Sequence, residues 1–174
     1  MDLWSTLFQR KDKLFPDDQV LYTSLSPTLK SHTYFSLKRQ TISFGHGFRQ
    51  HHAFRKGDVL ALFSENNINT PITMWGTHYA GGVVSSANQT YSKGELVHHL
   101  RDSGARTVVT KKEELGKVRE AVKELETEGT EKRNVEVLVQ VANLMQVALR
   151  EGKIVRWDRD RILSVLPFFH VYCL

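Results

Sequence analysis

From Asp58 onward, short apolar runs alternate with stretches in which apolar residues recur every three or four positions. The runs are "DVLALFS" (58–64), "VVSS" (83–86) and "RTVVT" (106–110). Each is short and rich in β-branched residues, and turn-formers such as Gly57 and "ENN" bound the first, which predicts strands. Between them lie helical patterns. "NTPITMWGTHYAGG" (69–82) carries Pro71 in its first turn and ends on two glycines. "YSKGELVHHLRDSGA" (91–105) has Ser92 as cap, Glu95 three residues later as a capping box, and Gly104 as stop. "KKEELGKVREAVKELETEG" (111–129) is charged and amphipathic, with good helix formers. Upstream, a helix is predicted from Ser31, as N-cap, to about Phe54, with Leu37, Ile42, Phe44 and Phe48 on its apolar positions and "RKGD" as stop. Residues 1–30 read as an irregular lead-in punctuated by Pro16 and Pro27, with one short strand in "DQVLYTSL".

Helix and strand thus alternate over 31–128 with short connections, which predicts an α/β fold whose parallel sheet is flanked by helices. The regularity then breaks. After "TEGTEKRN" (127–134), "VEVLVQVANLMQVALREGK" reads as a long amphipathic helix, or as a strand running into one. No strand of the earlier regular kind is expected between it and the preceding helix. Farther on, in "RWDRDRILSVLPFF", charge gives way to a strand.

Composition narrows the function classes. The 174 residues suit one domain with a real core. No stretch approaches the roughly 20 apolar residues of a membrane span. One cysteine, Cys173, excludes an internal disulfide and fits a reducing compartment. With no secretory pattern at the start and no peroxisomal signal in the last three residues, a cytoplasmic location is expected. The net charge of +5 is spread among acidic neighbours, with no basic stripe and no stacking aromatics. Nucleic-acid binding therefore ranks last.

The adjacent pairs His51-His52 and His98-His99 do not chelate a metal as i, i+4 histidines would, because neighbours on a helix point about 100° apart. They are read as solvated positions, and no metal site is expected. Trp75 and Tyr79, four apart on one helix, are read as core. Glu113 with Lys117, and Glu120 with Glu124, are read as a solvated face.

The run 56–110 resembles the N-terminal region of adenylate-forming enzymes, and specifically the 4-coumarate–CoA ligase-like and luciferase-like acyl-CoA synthetases of phenylpropanoid and related metabolism. The resemblance rests on Gly57, Asp58, Ala61, Leu62, Ser64, Asn66, Trp75, Gly81–Ser85, Asn88, Tyr91, Glu95, Leu96 and Asp102–Ala105. The tail "DRILSVLPFFHVYCL" (160–174) resembles the family's later "D-IL-VLPFFHIYGL". Such a match implies a partial N-terminal synthetase domain over 31–174. It also implies a chemistry in which ATP with Mg adenylates a small carboxylic acid and CoA then takes the acyl group. His170 is the implied catalytic residue, orienting the carboxylate, and Tyr172 lines the acyl pocket; two apart on an extended segment, they face one side.

Several departures accompany the match. Cys173 stands where the family has glycine, and Ser86 and Gln89 where it commonly has prolines. The family's Ser/Thr/Gly-rich phosphate loop has no counterpart among the eleven glycines. Small residues there would let backbone N–H groups reach the phosphates, and a lysine would offset their charge. "RNVEVLVQVANLMQ" (133–146) resembles the helix that follows that loop in the family. An internal deletion is accordingly expected near 127–141, and truncation after Leu174. The chain is expected to be inactive alone and to bind ATP, Mg and CoA poorly. The alternative is a non-catalytic protein that associates with itself or with a full-length synthetase through open sheet edges.

Overall fold

The structure, a computed structural model, describes residues 2–24, 29–128 and 135–139. Four strands build its central sheet: β3 (Val59–Phe63), β4 (Val83–Ser86), β5 (Thr107–Thr110) and β6 (Glu136–Val139). They are all parallel, in the order β4-β3-β5-β6. Parallel neighbours need crossovers, here α3 (Thr70–Tyr79), α4 (Lys93–Ser103) and α5 (Leu115–Glu128). The chain moves one way from β3 to β4 and the other way from β4 to β5 and β6. Right-handed crossovers therefore place α3 on one face and α4 with α5 on the other.

The two apolar clusters have that division. Leu60, Leu62, Val109 and Leu138 pack with Ile72 and Met74 of α3 and with Leu37, Phe44 and Phe48 of α2 (Tyr34–His51). Ala61, Phe63, Val108 and Val137 pack with Leu96, Val97 and Leu100 of α4 and Val118, Ala121 and Leu125 of α5. Successive strand residues point to opposite faces, so β3, β5 and β6 each supply both cores. That is why β3 reads as an unbroken apolar run instead of an alternating one.

The expected α/β architecture with helices flanking a parallel sheet is the one observed. Several boundaries differ. The helix predicted from Ser31 starts at Tyr34, because Ser31–Thr33 form β2, antiparallel to β1 (Val20–Thr23). Thr33 is the cap: its hydroxyl accepts from Ser36 N (3.1 Å), and Thr33 N donates to Ser36 Oγ (2.9 Å). The helix ends at His51 and not Phe54, since Ala53 takes a positive φ of 48°. The lead-in is part of the core. Leu3–Phe8 form α1, whose Trp4 and Phe8 are buried. Trp4 packs edge-on against Tyr79 at 4.7 Å.

Residues 136–139 are strand, which agrees with the alternative of a strand at the start of this stretch and not with the helix-after-loop resemblance. Val108 and Val109 pair with Val137 and Leu138 in register, and this backbone ladder with two-sided burial outweighs the local helical pattern. The regular β-α-β alternation therefore runs through Val139. The sequence reading expects no regular strand at this point, and β6 corrects it.

Ser92 caps α4 as anticipated: Ser92 Oγ accepts from Glu95 N (3.4 Å), and Ser92 N donates to the Glu95 carboxylate (2.8 Å). Such a cap stabilises a helix by about 1 kcal/mol.

Candidate functional site

In an open α/β sheet the ligand crevice lies at the carboxyl ends of the strands, where the strand order reverses. Here the reversal falls between β3 and β5. Phe63 of β3 stands opposite Thr110 of β5, and the chain leaves them through Ser64–Asn67 and Lys111. Asn67 organises the first loop. Its side-chain amide donates to Glu65 O (3.1 Å), its Oδ1 accepts from Asn69 N (2.9 Å), and its backbone N donates to Thr70 Oγ1 (3.2 Å). These bonds close the turn that starts α3 and leave Glu65 facing Lys111, with Nζ 2.5 Å from the carboxylate. The hydrogen bond to Glu65 holds the Lys111 ammonium above its usual range. At neutral pH it is thus a fixed cation and neither base nor nucleophile.

Lys117 forms the second cationic point at this end. Its Nζ lies 2.8 Å from Glu114, 3.4 Å from Tyr91 O and 5.3 Å from the centre of the Phe63 ring. Two buried polar atoms at the same end have no partner among the described residues: Thr110 Oγ1, on a fully buried residue, and Gln89 Oε1 in the loop after β4.

Phosphates would be expected at helix N-termini or glycine-rich turns here, and two of the three helix starts at this end do not suit them. The N-terminus of α4 already holds the Glu95 carboxylate. The 3₁₀ turn leading into α5 carries Glu113 and Glu114. Both would repel a phosphate. Nor, among the described residues, do three His, Cys, Asp or Glu side chains gather where they could hold a metal ion.

The profile of the family described as "AMP-binding enzyme" matches residues 8–151. The chain belongs to that family.

Among curated relatives of this AMP-binding chain, the long-chain-fatty-acid–CoA ligase of Salmonella typhimurium is 24% identical over 154 residues, which are 88% of this chain and 26% of that protein. The 4-coumarate–CoA ligase-like 3 of Oryza sativa is 30% identical over 77 residues, 44% of this chain and 13% of that one. The AMP-binding chain thus spans about a quarter of the length of the bacterial ligase. Its fold is similar to that of a benzoate CoA ligase from Burkholderia xenovorans (TM-score 0.70, 18% identity, 85% of this chain and 28% of that one). It is similar as well to ATP-bound MatB from Rhodopseudomonas palustris (0.68, 18%, 85% and 28%). The narrower plant-type likeness is weakly supported, since the longer matches are to bacterial fatty-acid ligases.

His170 and Tyr172, the site residues implied by resemblance, lie outside the described residues, as does Cys173. The histidine pairs are split by the fold. His51 and His98 are exposed, as expected. His52 and His99 are half-buried: His52 Nδ1 lies 2.6 Å from Glu136 Oε1, and His99 Nε2 lies 3.1 Å from Ser85 Oγ. Burial pushes the His99 imidazole below its usual range. Trp75 and Tyr79 pack against the aromatic core as read. Lys117 pairs with Glu114 and not Glu113. Glu124 reaches Lys93 on α4 at 2.7 Å, so that face ties two helices together. Sequence reasoning missed the Glu65–Lys111 pair, whose partners lie 46 residues apart; no local spacing encodes it.

Proposed function

We propose that these residues are the N-terminal part of an ATP-dependent carboxylate–CoA ligase. In the whole enzyme a carboxylate would attack ATP to give an acyl adenylate and pyrophosphate, and the CoA thiol would then displace AMP. The observation that carries the reading is the family match across residues 8–151 together with the three-layer fold that sets β3, β4, β5 and β6 in order. The orphaned Thr110 hydroxyl and Gln89 carbonyl favour it too, because buried polar atoms demand partners, which further parts of such an enzyme would supply at that end of the sheet. A long-chain acid is favoured over an aromatic one by the lengths of the matches.

By themselves the 174 residues are not an adenylating enzyme. The glycines include no phosphate loop, the N-terminus of α4 is occupied by the Glu95 carboxylate, and the 3₁₀ turn into α5 carries Glu113 and Glu114. His170 and Tyr172 retain the signature of an acyl site without the phosphate side of it. Purified chain incubated with ATP, magnesium and either palmitate or 4-coumarate is expected to give no pyrophosphate exchange above buffer. Stoichiometric acyl adenylate would overturn this.

A second reading, association through the sheet edge, is favoured by β4. Among the described residues it pairs only with β3, and Val83 at its start is 50% exposed. An unpaired strand edge is association-prone. Size-exclusion chromatography with light scattering is expected to show dimers or larger species at tens of micromolar, whereas a clean monomer would exclude this reading.

A further inference from the structure

Among the described residues β4 is an outer strand, and its free side presents a definite set of donors and acceptors. Val83 N donates to Asp58 O (3.0 Å) and Ala87 N to Leu62 O (2.9 Å), so Val83, Ser85 and Ala87 turn their N–H and C=O groups toward β3. The residues between them turn theirs the other way. Val84 and Ser86 therefore direct their backbone groups away from the sheet, where no described residue meets them. We propose that a second copy of this chain meets them, its β4 pairing antiparallel with this one across a two-fold axis. The pairing rests on the reading of association through a sheet edge, and fixes which edge, which partner and which register.

Self-complementarity sets the register. With Ser85 on the axis, Val84 lies opposite the partner's Ser86, and Ser86 opposite the partner's Val84. Each such pair exchanges its N–H···O bonds in both directions, so every outward group of the strand is satisfied at once. Val83, half-exposed in the single chain, comes to lie opposite the partner's Ala87. The two four-stranded sheets become one.

Charge permits the approach. Gly82–Tyr91 contains no Asp, Glu, Lys, Arg or His, so the antiparallel pair puts no like charges opposite one another. The devices that keep sheet edges apart are missing as well. β4 has no proline and no lysine, and its register against β3 runs from Val83 to Ser86 without a bulge. The opposite edge is the poorer candidate, because β6 begins with a carboxylate, Glu136, and leads directly into residues 140–174. A two-fold contact uses the free edge of both copies, so assembly closes at the dimer. The strand is short, and the dimer forms only in concentrated solution.

The test is analytical ultracentrifugation of the full chain, with wild type compared against Ser86→Pro and Ser86→Ala. Proline deletes an outward N–H in each copy without touching the ladder to β3, whereas alanine keeps it. Wild type is expected to dimerise with concentration, about tenfold or more weakly in Ser86→Pro and within about twofold of wild type in Ser86→Ala. If Ser86→Pro does not fold by circular dichroism, hydrogen exchange on wild type decides: the Val84 and Ser86 amides should exchange more slowly in concentrated than in dilute samples. A monomer at every concentration would sink both the pairing and the sheet-edge reading. Equal dimerisation by folded Ser86→Pro, or species larger than dimers, would overturn the pairing and leave association through another surface. Protection of the two amides that ignores concentration would overturn it too, since the chain's own residues would then cover the edge.

Discussion

Replacing Gly45 with alanine should lower the stability of the chain by about 2 kcal/mol, even though alanine is the better helix former. Gly45 of α2 sits against Gly76 of α3, where the two helices cross. A methyl group at Gly45 would lie 2.5 Å from Tyr79 Cδ1 and 2.8 Å from the backbone oxygen of Gly76. The ring can turn only at the expense of its packing on Trp4 and its bond to His46 Nε2 (2.9 Å). The backbone oxygen cannot move without the whole of α3. Overpacking of this kind costs about 1–3 kcal/mol, and more where backbone must shift. It therefore outweighs the gain of up to about 1 kcal/mol from removing a helical glycine. Gly94 of α4 is the internal comparison, because a methyl group there meets nothing within 4 Å. Urea unfolding should show Gly45→Ala destabilised and Gly94→Ala neutral or slightly stabilised. Equal effects at the two sites would mean that the helix crossing is looser than described.

Acidification from pH 7 to pH 5 should remove about 2 kcal/mol through His32 alone. This imidazole is 6% exposed. Its Nε2 lies 2.9 Å from Ile68 O and its Nδ1 3.3 Å from Gln40 Nε2. Neutral histidine satisfies both contacts, donating to the carbonyl and accepting from the amide. A second proton would put a donor against a donor in a site with little water. Burial pushes its pKa down to about 4 from 6.5, with the Ile68 carbonyl opposing only in part. Between those values the unfolded chain binds the proton that the folded chain refuses, so stability rises with pH. The contribution is complete above about pH 6.5 and lost as pH falls to about 4. Over that whole window it is on the order of 3 kcal/mol. His78 is lowered as well, by burial, and adds in the same direction. Comparing urea midpoints at pH 7 and pH 5 isolates His32, since His32→Gln should flatten most of the slope. An equally steep slope in the variant would assign the acid sensitivity elsewhere.

How much of this was legible in the sequence depended on whether the cause was local. The apolar run 58–64, the capping box at Ser92 and the stop at Gly104 sit where their own chemistry puts them. α1 was not legible, because "LWSTLF" is six residues long and owes its helix to Trp4 and Phe8 docking on residues 26 to 75 positions away. β2 displaced the expected cap at Ser31 through pairing with β1. β6 was obscured for the same reason, since its partner β5 lies beyond a complete helix. The crevice followed from topology once the strand order was known. The Glu65–Lys111 ion pair and the His52–Glu136 contact join residues 46 and 84 positions apart, and single-sequence spacing has no access to them.

The alternation along β3 has a consequence for how the two halves of the molecule communicate. Leu60 and Leu62 belong to the α2/α3 layer, while Ala61 and Phe63 belong to the α4/α5 layer. Residues joined by a peptide bond thus report to separate interiors, and side chains far apart in sequence share one. The same holds for β5 and β6, whose Val109 and Leu138 face one layer and Val108 and Val137 the other, so disturbances in one layer reach the other through these shared strand backbones. The strand backbones, more than any side chain, therefore tie the two packings to each other.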